Sequence, residues 1–266
     1  MELGTQLDAV RKLGYGIAAL SYDKPEALAH FAKRKNIGYP LLSDPESKVI
    51  QAWGILNEKA NGFAKGIPHP GLFIVNARGI VEAKYFEDDY TERMTVAAIL
   101  AGRFQQPQPA ARATIEKPRI KLITSASTGV VRPGQKLRLE IEAVLGEGLH
   151  AYAPGAPSDF IPVRWTITPS PAVKAQDAQW PAPKQKVLYG SPGKVPAYEG
   201  AIKVAREITI GNRRALTSSE LEISGEFRYQ ACNDKLCYPP ETIPVSWKLL
   251  VEGHDSERVP KELQRQ

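Results

Sequence analysis

The chain is 266 residues long, 42% hydrophobic and 24% charged, the composition of a globular protein with apolar mass enough for two cores of ordinary domain size. Disorder, collagen and coiled coil are excluded. The 35 Lys and Arg exceed the 29 Asp and Glu, leaving +6, but they are scattered and form no run that would track a phosphate backbone, so no nucleic-acid partner is expected. No stretch approaches the roughly 18 uncharged apolar residues that span a bilayer. The opening MELGTQLDAVRKLG is amphipathic and contains acids, unlike an export leader; a leader, if the protein is exported, has to lie outside this sequence.

In chain order, Glu2 to Leu13 has a helical pattern, and Gly16 to Ser21 is a short apolar run of the kind buried on both faces of a sheet. Asp23 with Glu26 three residues on is a capping signal for a second helix, in which Leu28, Phe31 and Ala32 share a face and which Asn36 and Gly38 stop. A third helix is expected from Ser43-Asp44-Pro45 through Val49 and Trp53 to Gly54. Leu72 to Val75 and Ile80 to Tyr85 read as strands joined by the hairpin turn Asn76-Ala77-Arg78-Gly79. Thr91 is placed to cap a last helix ending near Arg103. Gly14-Tyr15-Gly16-Ile17-Ala18-Ala19 spells a dinucleotide fingerprint, but it follows a helix and precedes a strand, the reverse of the order that motif requires.

Residues 1–104 hold only Pro25, Pro40, Pro45, Pro68 and Pro70 of the 22 prolines. The polar, helix-breaking stretch from Gln105 therefore marks a linker, 105–116. Beyond it, Leu137, Leu139 and Ile141 alternate with Arg138, Glu140 and Glu142, and Val245, Trp247, Leu249 and Val251 repeat the period of two. Similar runs at 120–123, 163–167, 202–210 and 221–229, separated by Pro/Gly turns, suggest an immunoglobulin-like β-sandwich over 117–252. A polar tail, 253–266, follows.

Only two cysteines occur, Cys232 and Cys237. A metal site is not expected, because structural zinc wants four N/S ligands and His30, His69, His150 and His254 are dispersed; no cofactor is implied either. If residues 233–236 form a hairpin loop, the two cysteines lie opposite each other with Cα atoms roughly 4.5–5.5 Å apart, within reach of a disulfide. So small a ring stabilises less than the roughly 3 kcal/mol expected of a 15-residue loop. Pro239 and Pro240 favour an edge position that a partner thiol can reach. An inert staple and an exchanging pair both fit these residues.

The segments Ser21 to Leu28, Tyr39 to Pro45, Ile67 to Val75 and Phe86 to Arg93 resemble the redoxins of the alkyl hydroperoxide reductase/thiol-specific antioxidant (AhpC/TSA) family. That resemblance implies an α/β thioredoxin-like fold over 1–104, lacking its first strand and the cysteine that precedes the first helix. It also implies a cis-proline at Pro70. Without a cysteine in 1–104, peroxidase activity is not carried over, and the sheet edge beside Gly16 to Ser21 leaves pairing with a second copy of the chain open.

Tyr229-Gln230-Ala231-Cys232 with Cys237-Tyr238-Pro239-Pro240-Glu241 resembles the N-terminal periplasmic domain of the thiol:disulfide interchange protein family DsbD, from about Lys117 to Val251. The resemblance implies that Cys232 and Cys237 are the exchanging pair, with Cys237 taking the intermolecular bond. Gly148 to Tyr152 corresponds to the family's segment beside the disulfide, and Leu188-Tyr189-Gly190 to the cap loop over it, so Tyr152, Leu188 and Tyr189 are candidate shielding residues. The inter-cysteine loop is one residue shorter than in DsbD, and Leu188 stands where DsbD has an aromatic. The implied function is thiol–disulfide exchange in the periplasm with thioredoxin-like donor and acceptor proteins in trans. The alternative is a non-catalytic scaffold with a structural disulfide and a degenerate redoxin domain.

Overall fold

In the computed structural model, which describes residues 2–87, 89, 91–106, 110–187 and 193–264, the chain divides into two units. One comprises residues 1–96 together with 254–266, the other residues 97–253. The first contains α1 (Glu2–Thr5), α2 (Leu7–Lys12), β1 (Ala19–Ser21), α3 (Pro25–Lys35), β2 (Leu41–Ser43), α4 (Lys48–Ala52), β3 (Gly71–Val75), β4 (Val81–Phe86) and β5 (Arg93–Met94). Strands β1 and β2 pair in parallel, and β3 and β4 form an antiparallel hairpin. The Asn76 side chain builds the hairpin turn by accepting the Arg78 and Ile80 amides at 3.0 and 3.1 Å, and Gly79 takes the left-handed backbone (φ 78°) that the turn needs.

Three local signals resolve differently from the sequence reading. The capping pair Asp23/Glu26 is not formed. Lys24 is the N-cap with Pro25 behind it, while the Asp23 carboxylate accepts the Ser21 hydroxyl at 2.6 Å, so the aspartate belongs to the turn leaving β1. Asp44 starts α4 by accepting the Lys48 and Ile50 amides at 3.0 and 2.9 Å. The last helix, α5 (Val96–Arg103), begins beyond Thr91, whose hydroxyl goes to Asp89 instead. The cis bond expected at Pro70 is not adopted: no cis peptide occurs among the described residues. Pro70 has an ordinary trans bond leading into β3, and the His69 amide before it donates to the Ile55 carbonyl at 2.7 Å.

The tail joins the first unit. The Arg34 guanidinium bonds Asp255 and Glu257, each at 2.8 Å, and Lys35 meets Asp255 at 3.2 Å; Arg34 holds the Asp255 carboxyl well below the usual carboxylate range. Charge pairing, which a reading for apolar periodicity passes over, thus orders a segment of polar composition.

The second unit is built of β6 (Ala110–Lys117), β7 (Ile120–Ala126), β8 (Val130–Val131), β9 (Gln135–Leu145), β10 (His150–Tyr152), β11 (Arg164–Ile167), β12 (Val173–Ala175), β13 (Lys184–Val187), β14 (Lys194–Glu199), β15 (Ala201–Ile210), β16 (Glu220–Tyr229) and β17 (Glu241–Val251). One sheet runs β12-β15-β9-β7-β6 and a second β11-β16-β17-β8. Their inward residues, among them Leu137, Leu139 and Ile141 from the first and Ile223, Phe227, Val245 and Trp247 from the second, form one buried cluster. The strict alternation of burial along β9 and β16 is what two apolar faces pressed together demand. Side-chain bonds cross between the sheets: Trp247 donates its indole N–H to the Ser125 carbonyl at 2.9 Å, and Arg206 donates to the Trp165 carbonyl at 2.7 Å.

Residues 110–116, expected as part of the linker, belong to strand β6 (Ala110–Lys117), and the division between units falls earlier, at the head of α5. Ile115 is their one large apolar side chain, but the ladder from Lys117↔Ile120 to Ala113↔Thr124 supplies the backbone bonds that the side chains do not advertise. A third, small sheet, β10-β14-β13, carries the segment His150 to Tyr152.

Gly225 shows how close the strands of the second sheet lie. A Cβ there would sit 2.2 Å from the Thr166 carbonyl oxygen of the neighbouring strand, so Gly225→Ala is expected to destabilise the second unit by about 1–3 kcal/mol. Urea unfolding followed by tryptophan fluorescence checks this; an unchanged midpoint would show that the strands can part.

Candidate functional site

At the end of β16 the chain passes through Gln230 and Ala231 to Cys232, turns over residues 233–236, and returns at Cys237 towards β17. The turn is made by Asn233, whose side-chain oxygen accepts the Lys235 and Leu236 amides, both at 2.9 Å. Backbone bonds flank the cysteines on either side, Asn233 to Leu236 at 2.9 Å and Tyr238 to Ala231 at 2.8 Å. Cys232 and Cys237 are thus a non-hydrogen-bonded pair, the narrow site of an antiparallel ladder. Their Cα atoms stand 4.0 Å apart and a disulfide joins them, so the sulfurs meet as the facing-strand argument requires, and closer than expected.

The two sulfurs differ in setting. Cys232 is 1% exposed, whereas Cys237 is exposed together with Leu236 and the two prolines after Tyr238. Burial of Cys232 follows from a second ladder: its amide and carbonyl exchange bonds with those of His150, each at 2.9 Å. Tyr152, two residues along β10, is 2% exposed and packs with Cys232 and Val195, backed by Phe160 at 4.4 Å between ring centroids. Its hydroxyl lies 4.0 Å from the Cys237 sulfur, and burial raises its pKa. On the far side of the hairpin, Arg119 lies over the Tyr238 ring at 4.7 Å and bonds Glu241, and the Gln230 amide donates to the Tyr238 carbonyl at 3.0 Å.

Of the residues singled out from sequence, Cys232, Cys237 and Tyr152 come together. Leu188 and Tyr189, with Gly190, lie outside the described residues. Pro70 belongs to the first unit and the other candidates to the second. Sequence reasoning missed His150. Its ring stands edge-on to Tyr152 with centroids 5.7 Å apart, the residue is 3% exposed, and its Nε2 has no hydrogen-bond partner among the described residues. The signal was available, since a residue two before Tyr152 in a strand shares its face. Burial holds the His150 pKa below its ordinary value, against the pull of Asp234 and Glu199.

Comparison with known proteins divides the chain in the same way. Residues 1–84 match the AhpC/TSA family, and residues 121–246 match the family described as thiol:disulfide interchange protein DsbD, N-terminal. Peroxiredoxin Bcp of Escherichia coli is 30% identical over 92 residues, which are 33% of this chain and 56% of that protein. The N-terminal periplasmic domain of ScsB from Proteus mirabilis aligns at 16% identity over 52% of this chain and 51% of that one, with a TM-score of 0.37. The reduced DsbD N-terminal domain of Neisseria meningitidis aligns at 12% identity over 42% and 75%, with a TM-score of 0.26. The chain spans about half the length of the curated relatives it matches. The N-terminal half is thus similar to redoxins and the C-terminal half to DsbD N-terminal domains.

The depressed pKa of His150 fixes a pH dependence. The unfolded chain, whose histidine titrates near 6.5, takes up the proton more readily than the folded one, so stability is present above that pH and lost as pH falls below it. Urea unfolding of the wild type at pH 7.5 and pH 5, compared with His150→Gln, is expected to show a smaller acid loss in the variant. An equal loss in both would place the acid sensitivity elsewhere.

Proposed function

We propose that this protein is a thiol–disulfide exchange protein that passes electrons between thioredoxin-like partners through Cys232 and Cys237, the redoxin-like half taking no covalent part. The observation that carries the reading is the asymmetry of the pair: one cysteine exposed just after a four-residue loop, the other buried just before it. The match of residues 121–246 to the DsbD N-terminal family supports the same chemistry.

In this mechanism a donor thiolate attacks the exposed Cys237 sulfur in line with the bond to Cys232. The Cys232–Cys237 bond breaks, Cys232 leaves with the electron pair as a thiolate, and Cys237 is joined to the donor. The donor's second thiolate then attacks the donor sulfur of that mixed disulfide and releases Cys237. The pair has gained two electrons and, on protonation, two protons, and the donor has become a disulfide. The same steps run in reverse on an acceptor disulfide. The shielding role of Tyr152 and of the Leu188–Gly190 segment, the immunoglobulin-like connections of the sandwich, and the periplasm as the compartment where such a disulfide persists belong to this reading.

The reading predicts a reduction potential above the structural range. Equilibration with dithiothreitol at graded potentials is expected to place the pair above about −300 mV; a value below that would make the bridge a staple and favour the scaffold alternative. It also predicts unequal capture. Cys232→Ser, with Cys237 first converted to its mixed disulfide with thionitrobenzoate, is expected to be captured by a thioredoxin-like protein lacking its resolving cysteine, with release of thionitrobenzoate, and Cys237→Ser treated alike is not; equal capture by both would remove the assignment of Cys237 as the attacked sulfur.

The first unit holds no thiolate for peroxide to oxidise, since cysteine is absent from residues 1–104. Peroxide consumption with a thiol reductant is therefore expected to be nil in the Cys232→Ser, Cys237→Ser double variant. Turnover persisting there would overturn the reading of this half as silent.

A further inference from the structure

The two ladders at the site set four residues in one row. Glu199 on β14 stands opposite His150 on β10, His150 opposite Cys232, and Cys232 opposite Cys237. Directly opposed residues of antiparallel strands project from the same face, so a carboxylate, an imidazole and the two sulfurs are consecutive neighbours on one surface. The ends of the row are open to solvent, at Glu199 and Cys237, and its middle, His150 and Cys232, is 3% and 1% exposed. In this dry middle, His150 Nε2 is a polar atom with no partner among the described residues. An unpaired buried donor or acceptor costs free energy, and while the disulfide is closed no described group meets Nε2.

We propose that His150 is the proton partner of Cys232, bonding its sulfur when the disulfide opens and carrying the proton to and from it. The inference rests on the exchange reading and adds the group that manages the buried sulfur. When Cys237 is attacked, Cys232 departs as a thiolate into a site that water barely reaches, where an unsolvated anion is costly. The Nε2–H of the neutral imidazole donates a hydrogen bond to that thiolate. A proton taken up by the ring from solvent then passes to the sulfur, leaving Cys232 a thiol and His150 neutral again. On the return, Cys232 must lose this proton before its sulfur attacks Cys237 in the mixed disulfide with the acceptor; Nε2 accepts it and releases it to solvent. Electrons move only between sulfurs, and the histidine ends each cycle unchanged.

The charges around His150 suit the task. From β14 Glu199 and from the inter-cysteine loop Asp234 favour the imidazolium, while from β13 Lys186, ion-paired to Glu199 together with Lys184, opposes it; Tyr152 on β10 contributes a neutral phenol. Burial favours the neutral ring, so Nε2 can accept a proton from the Cys232 thiol of the reduced pair, and the thiolate so formed then favours the imidazolium.

The test uses the full chain. In the wild type, the His150 ring signals followed by NMR are expected to gain, when the disulfide is reduced, a titration step at the pH where the Cys232 thiol ionises, since the new thiolate would bond Nε2. In a Cys237→Ser background, where Cys232 is the sole thiol, the thiolate absorbance is expected to titrate about one unit or more higher in His150→Phe than with His150 intact. Ring signals without that step, or an unchanged Cys232 titration in a folded variant, overturn the proposal, and the wild-type NMR arm decides it if His150→Phe fails to fold. Both arms read the His150–Cys232 coupling directly. A reduction potential in the structural range would sink the exchange reading while leaving this coupling measurable, so the two failures are distinct.

Discussion

The pair of backbone hydrogen bonds between His150 and Cys232, each 2.9 Å, is the constraint on which the site depends. It attaches the descending leg of the cysteine hairpin to β10 and so to the small sheet. By covering one face of that leg it buries one sulfur and leaves the other, across the turn, in the open. The same two bonds orient three further side chains. His150 and Tyr152 follow from the strand period, and Glu199 from the register of β10 with β14. Without this ladder nothing described would set the burial of Cys232 apart from that of Cys237.

The sandwich itself was largely legible. Leu137, Leu139 and Ile141 alternate with charges because β9 has one buried face, and Val245, Trp247 and Leu249 are the buried alternate positions of β17. Strand β6 was not, because residues 110–117 carry one large apolar side chain, Ile115, and are held by a ladder whose partner lies in β7. Polar composition reports what a segment cannot bury, and says nothing of the backbone bonds it can make. The tail after Gly253 escaped for a related reason, since Arg34 lies far from Asp255 in sequence and ion pairing has no period.

In the site, the cysteine pairing could be read from the spacing of Cys232 and Cys237, because a four-residue turn with flanking strands leaves few other geometries. His150 could not be read by the same route. Surveyed for metal spacing it is a lone histidine, and its meaning comes from the strand beside it, which is fixed only when β10 and the hairpin pair. In the first unit the Asp23/Glu26 signal misled because an aspartate after a strand can serve its own turn as readily as a helix cap; Ser21 takes its carboxylate first.

The ascending leg of the hairpin has a further consequence. Tyr238 is held by the Ala231 carbonyl, by the Gln230 side chain and beneath the Arg119 guanidinium, and none of these ties passes through a sulfur. When the bridge opens, the two legs stay where they are, and each thiol faces the other at the high effective molarity of a preorganised neighbour. Any foreign sulfur that becomes attached to Cys237 then competes with an intramolecular rival that never diffuses away. Covalent complexes at this loop would be short-lived, and a partner would leave quickly however strongly its own surface favoured staying.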